Sequence, residues 1–213
     1  QLLNGIFIVS ERVRMVIDTH FNIISKRRAV FLAILYHFQR EKSLCEKGFL
    51  RAYFGISDKY GSPEAVKLMY GFYLEMMKRY PFLNAKCGII GFSRGGLYAF
   101  NYTLAHPETV KKAYFDAPVL DLRTWPRRGE EYGENGLYEQ VLKEYGFKSE
   151  KEYLNYGGYP VENFDRYFSL NLPTLLIAGD SDKTVAFRKN SLKMIEYCKK
   201  NGAPNETSSS GVS

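Results

Sequence analysis

The stretch GFSRG at Gly91 to Gly95 sets a serine between two glycines in the spacing GxSxG. That spacing suits a sharp turn between a strand and a helix, with the serine hydroxyl projecting above the sheet. A hydroxyl held so can serve as the nucleophile of an acyl transfer. Arg94 N–H then opens a helix whose dipole and unpaired amides favour a developing oxyanion. Gly91 and Gly95 fit as positions where a side chain collides with neighbouring elements. The bland alternative is a glycine-rich turn holding a small residue, and only the flanking elements decide between the two.

Those elements have the required order. KCGIIG reads as a buried strand, a helix runs from about Arg94 to Ala105, HPET breaks it, and KKAYFDAPV is a second strand. LPTLLIAGD at Leu172 to Asp180 is a third continuous apolar run, as expected where helices cover both faces of a sheet. A helical stretch follows from Ala186 to Lys200. Upstream, GFLRAYFGIS at Gly48 to Ser57 reads as a strand, and Ser62 and Pro63 begin a helix as cap and first residue. RAVFLAILY at Arg28 to Tyr36 reads as another strand, followed by a short polar helix. NGIFIVS and ERVRMVIDTH fit two strands of an antiparallel edge. Strand and helix alternate throughout, which predicts an α/β fold with a mostly parallel twisted sheet and helices on both faces. Residues 127–170 interrupt that rhythm and are too long for a simple connection, so they are expected to form a cap or lid over the strand ends.

With these residues in view, the chain resembles the α/β-hydrolase family, and more closely its small bacterial esterase-like and prolyl-oligopeptidase-like members. The resemblance rests on GFSRGGLYA at Gly91 to Ala99, AHPETV at Ala105 to Val110, DAPVLDLRTWP at Asp116 to Pro126, and PTLLIAGDSDKTVAF at Pro173 to Phe187. It implies hydrolysis of an ester, thioester or amide in a small-molecule or peptide substrate through a Ser/acid/His triad, with no metal or organic cofactor. The family's G-x-x-D pattern puts the acid at Asp182, with Asp180 bracing the loop. Asp116, at the end of the preceding strand, is the alternative acid, or else a carboxylate that braces a turn. The acid's task is to hold the imidazole in one tautomer and stabilise its cation.

The resemblance also implies a histidine a few tens of residues after the acid, on a loop beyond one more strand. No histidine follows His106, and after KKNGAP the chain ends in NETSSSGVS. Residues 205–213 are therefore expected to be a polar, strandless tail. His106 lies about eleven residues along the helix from the serine, roughly 16 Å away at 1.5 Å per residue. His20 is expected at the amino edge of the strands, opposite the catalytic loops. His37 falls on the active-site side, where the family provides its second oxyanion amide, so His37 and Phe38 are candidate oxyanion-loop residues. A structural or surface histidine is the next alternative for His37, and an improvised base the last. Two functions stay open: a serine hydrolase whose histidine segment lies beyond this C-terminus, and a catalytically incomplete binding module of the same fold.

Composition narrows the partners. The 213 residues fit a single domain with one core. The formal charge of +7 is scattered, with only KRR at Lys26 to Arg28 and RR at Arg127 and Arg128 as dense spots. With no stacking or groove-reading motif beside it, that charge argues against nucleic acid. No apolar run reaches the roughly 18 residues needed to span a bilayer, which argues against a membrane partner. Cys45, Cys87 and Cys198 lack metal-ligand spacing and read as reduced thiols of a cytoplasmic protein. Tyr132, Tyr138, Tyr153 and Tyr156 with Arg127 and Arg128 could line a pocket for an acidic or aromatic acyl group, or could simply pack.

Overall fold

The computed structural model describes residues 4–9, 49–126, 136–182, 184–201 and 207–208. Six parallel strands form one sheet in the order β2-β1-β3-β4-β5-β6. They are β1 (Asn4–Val9), β2 (Phe49–Tyr53), β3 (Cys87–Phe92), β4 (Val110–Asp116), β5 (Thr174–Ile177) and β6 (Thr207–Ser208). The helices are α1 (Pro63–Arg79), α2 (Gly95–Ala105), α3 (Leu137–Tyr145), α4 (Glu150–Leu154), α5 (Phe164–Phe168) and α6 (Ser191–Asn201).

The run NGIFIV departs from the expected antiparallel edge. β1 is parallel and interior, paired with β2 on one side and β3 on the other. Four successive apolar residues, Ile6 to Val9, suit a strand covered on both faces better than the alternation of an edge. ERVRMVIDTH, RAVFLAILY and the polar helix after it lie outside the described residues. The tail departs too: Thr207 and Ser208 pair with Leu176 and Ile177 as a short strand. The backbone groups along the outer side of β5 need partners, and a two-residue extended segment suffices to give them some.

Helix α1 starts as its sequence predicts. Ser62 Oγ accepts a hydrogen bond from the Ala65 N–H at 3.2 Å, and Pro63 takes the first position, where no N–H is needed. Helix α2 is apolar nearly all round because it is buried between β3, α1 and α5. On it, Phe100 stacks on Tyr167 at 4.5 Å and meets Phe164 edge-on at 6.0 Å, fixing the centre of the core. No helix among the described residues is long and apolar enough to cross a membrane.

Tyrosine hydroxyls tie the segment between β4 and β5 to the rest of the fold and to itself. Tyr145 Oη donates to the Tyr60 carbonyl at 2.9 Å, Tyr153 Oη to the Leu122 carbonyl, and Tyr159 Oη to the Tyr153 carbonyl at 2.8 Å. In the core below, Tyr98 Oη donates to the Ile56 carbonyl at 2.8 Å, and the Tyr167 and Thr174 hydroxyls bond to each other. Burial pushes the hydroxyls of Tyr98, Tyr153, Tyr159 and Tyr167 well above the ordinary tyrosine value.

An alkaline limit to stability follows. Below the unfolded tyrosine pKa of about 10 both states keep these protons. Above it the unfolded chain releases protons that the native protein retains, so stability falls as pH rises. The melting temperature is expected to be flat toward pH 9 and to drop beyond about pH 10. A melting temperature unchanged through that range would show that these hydroxyls are not the linked groups.

Candidate active site

Ser93 sits between β3 and α2 with φ at 49°, in the left-handed region that non-glycine residues seldom occupy. Such a backbone costs on the order of 1–3 kcal/mol and persists only when its surroundings over-determine it. Three hydrogen bonds do so. The Ser93 N–H donates to the Asp116 carbonyl at 2.9 Å, while the Ser93 carbonyl accepts from the Gly96 N–H at 2.9 Å and the Val119 N–H at 2.8 Å. A Cβ on Gly91 would lie 2.7 Å from the Gly95 carbonyl oxygen, so the tight turn needs glycine there, as the sequence suggested. The structure adds Gly96, whose Cβ would fall 2.4 Å from the Pro118 side chain.

Pairing brings the strand ends level. Val9 faces Gly91, Phe92 faces Asp116, and Asp116 faces Ile177. Ser93 and the loop carrying Asp182 therefore leave the same edge of the sheet, two strands apart. Asp182 is half-buried, and its Oδ1 accepts from the Thr184 N–H at 2.8 Å and the Val185 N–H at 2.9 Å. Neither bond uses Oδ2. Asp180 is exposed and accepts only a local bond, from the Ser181 hydroxyl at 3.0 Å. Asp116 accepts from the Tyr114 hydroxyl at 2.9 Å through Oδ2, so its carboxylate joins a residue two positions back on the same sheet face.

Arg94 contributes more than an amide. Its guanidinium lies 5.2 Å from the Tyr60 ring centroid and 5.3 Å from that of Trp125, in cation–π range of both. Neither aromatic was singled out from the sequence. Trp125 is the chain's single tryptophan, and that scarcity was the available signal. Tyr60 ties the surroundings of Ser93 to the excursion, because its hydroxyl also meets Gln140 Oε1 at 2.5 Å and its carbonyl accepts from Tyr145.

His106 closes α2 at the end away from Ser93, its ring stacked on Tyr70 at 3.9 Å with Nδ1 3.4 Å from Glu108 Oε1. His20, His37 and Phe38 lie outside the described residues, as do Tyr132, Arg127, Arg128 and Cys45. Tyr138 and Tyr153 are buried and meet edge-on at 5.2 Å, and Tyr156 packs on Tyr159 at 5.0 Å. These tyrosines pack against one another, which fits the packing alternative for the three that are described. Burial pushes the Cys87 thiol up to about 12, which leaves it protonated and unreactive near neutrality.

The parallel sheet, its helices and the strained serine turn define an α/β-hydrolase fold. The model of the prolyl oligopeptidase family matches residues 66–208, and the chain belongs to that family. Two of the solved structures that share the fold illustrate it. Porphyromonas gingivalis dipeptidyl peptidase 4 aligns with 98% of this chain at 15% identity and a TM-score of 0.65, and the chain spans only 28% of that protein's length. A Staphylococcus aureus protein, the fluorophosphonate-binding serine hydrolase FphF, aligns with 100% of this chain and 77% of its own at 13% identity and a TM-score of 0.70. No curated protein matches the sequence.

Two glycines test the packing account of the elbow. Gly96→Ala forces a Cβ into Pro118 and is expected to destabilise the protein by about 1–3 kcal/mol. Gly71→Ala, on an open face of α1, is expected to stabilise it by about 0.5–1 kcal/mol. Chemical denaturation measures both, and equal effects would refute the account.

Proposed function

We infer that the chain is a serine hydrolase that cleaves an ester, thioester or amide in a small-molecule or peptide substrate through an acyl-enzyme at Ser93. The observation that carries this reading is the left-handed backbone of Ser93, locked by Asp116, Gly96 and Val119 at the start of α2. A serine with only a packing role has no need of such strain. In the reaction, Ser93 Oγ bonds to the carbonyl carbon as its proton passes to an imidazole. The oxyanion gathers at the Arg94 N–H and the positive end of α2, and the leaving group departs with the proton the imidazolium returns. Water then gives a proton to the imidazole as it attacks the acyl carbon, and the carboxylic acid leaves as Ser93 Oγ is reprotonated. Membership of the prolyl oligopeptidase family supports the same chemistry.

Asp182 is the acid in this reading. Its Oδ1 is held by its own loop, which orients the carboxylate and leaves Oδ2 outside that pair of bonds. Asp116 is the poorer choice, since Tyr114 holds its carboxylate on the sheet face. Residues 136–170 act as the cap, with α3 fastened to the turn after β2 by the 3.0 Å Lys59–Glu144 ion pair. The imidazole is not supplied by His106, which is stacked at the far end of α2. That placement is what favours a second reading, a binding module that keeps the elbow without turnover.

A fluorophosphonate probe separates the two readings. Ser93 is expected to be labelled, Ser93→Ala to abolish labelling, and Asp182→Asn to slow it, by up to about 10⁴-fold where the acid fixes the base's tautomer. Equal labelling of the parent and Ser93→Ala overturns Ser93 as nucleophile. Absence of labelling in both supports the binding module.

A further inference from the structure

Asn190 is completely buried between the acid loop and α6, and every hydrogen-bonding position of its side chain is used. Oδ1 accepts from the Leu120 N–H at 2.8 Å and the Asp121 N–H at 3.0 Å, about seventy residues away in sequence. Nδ2 donates to Thr124 Oγ1 at 3.1 Å and to the Ala186 carbonyl at 3.0 Å. The amide immediately before Leu120 is that of Val119, which donates to the Ser93 carbonyl. Three consecutive amides after β4 are thus divided between the two halves of the site, one holding the nucleophile's turn and two holding Asn190. Thr124 precedes Trp125, whose ring lies beside the Arg94 guanidinium.

On the loop's own side, Asn190 lies eight residues after Asp182. Its backbone, at φ −122° and ψ −91°, separates the turn Phe187–Lys189 from α6. The loop therefore spans from the end of β5 to a side chain anchored in the segment that also anchors Ser93. An apolar plug could fill the same volume, but it would leave the Leu120 and Asp121 amides without their partner.

We propose that Asn190 is a positioning residue for the acyl transfer: by joining the acid loop to the segment that holds the Ser93 carbonyl, it sets the placement of Asp182 relative to Ser93. The proposal rests on the serine-hydrolase reading for its catalytic consequence, while the positional link can be measured without any turnover.

The test combines labelling with amide hydrogen exchange on Asn190→Ala and Asn190→Asp. Thr109→Val is the control, because it removes a buried hydroxyl bonded to Tyr102 at the far end of α2. Asn190→Ala is expected to slow fluorophosphonate labelling by up to about 10²-fold, the cost of a small misplacement. It should also speed exchange at the Thr184 and Val185 amides beyond any change at Ile89. Asn190→Asp keeps the acceptor and the volume but turns its second oxygen toward the Ala186 carbonyl where Nδ2 donated, so it should show at least as large a loss. Thr124→Val, which removes one partner of Nδ2 and leaves both Oδ1 bonds, should show a smaller one and covers the case in which the Asn190 variants do not fold. Thr109→Val should lower the melting temperature while labelling at the parent rate. Unchanged exchange at Thr184 and Val185 in both Asn190 variants overturns the proposal, whatever the labelling shows. If the parent chain is not labelled, the functional reading fails, and exchange alone supports or overturns the positional link.

Discussion

The carbonyl of Ser93 accepts from Gly96 and from Val119, and this pair of bonds holds the serine's backbone in a conformation it would not choose. The consequences run outward in both directions. The Gly96 bond commits the chain to helix α2, whose apolar length forms the centre of the core. The Val119 bond requires the chain leaving β4 to turn back over the elbow at Pro118, against which only glycine fits at position 96. The strain is therefore sustained by the same packing that stabilises the domain.

Polar and apolar contacts divide the work around that turn. The buried aromatic cluster of Phe100, Phe115, Phe164 and Tyr167 sets the distance between α2, the sheet and α5, and tolerates small adjustments because dispersion is not directional. The loops above the sheet join that core through Val119, Leu120 and Leu122 and add polar anchors to it. Asp121 is almost fully buried, held by Arg123 at 2.7 Å, and Arg123 also reaches Glu162 in the excursion. A buried carboxylate requires this kind of pairing, and the pairing gives the loop a defined position.

What could be read from the sequence was what depends on near neighbours. GFSRG between an apolar run and a helical stretch is a local pattern, and the turn, both flanking elements and the distance of His106 from the serine all follow from it. The direction and place of β1 did not, because its partners begin more than forty residues later and an isolated apolar run carries no record of them. The stretch Ala186 to Lys200 has helical periodicity throughout, yet the helix starts only at Ser191, since Asn190 is engaged by backbone seventy residues upstream. The cap tyrosines were ambiguous for a chemical reason: one side chain has both an apolar ring suited to packing and a hydroxyl suited to a pocket.

The attachment of residues 136–170 has an evolutionary aspect. Tyr145 and Tyr153 fasten this segment by donating to the main-chain carbonyls of Tyr60 and Leu122. A carbonyl is present whatever side chain stands at that position, so such bonds make few demands on the identity of the receiving residue. At these two moorings the receiving residue can change its side chain without losing the bond, whereas at Lys59–Glu144 and Arg123–Glu162 the side chains are the joint and must change together.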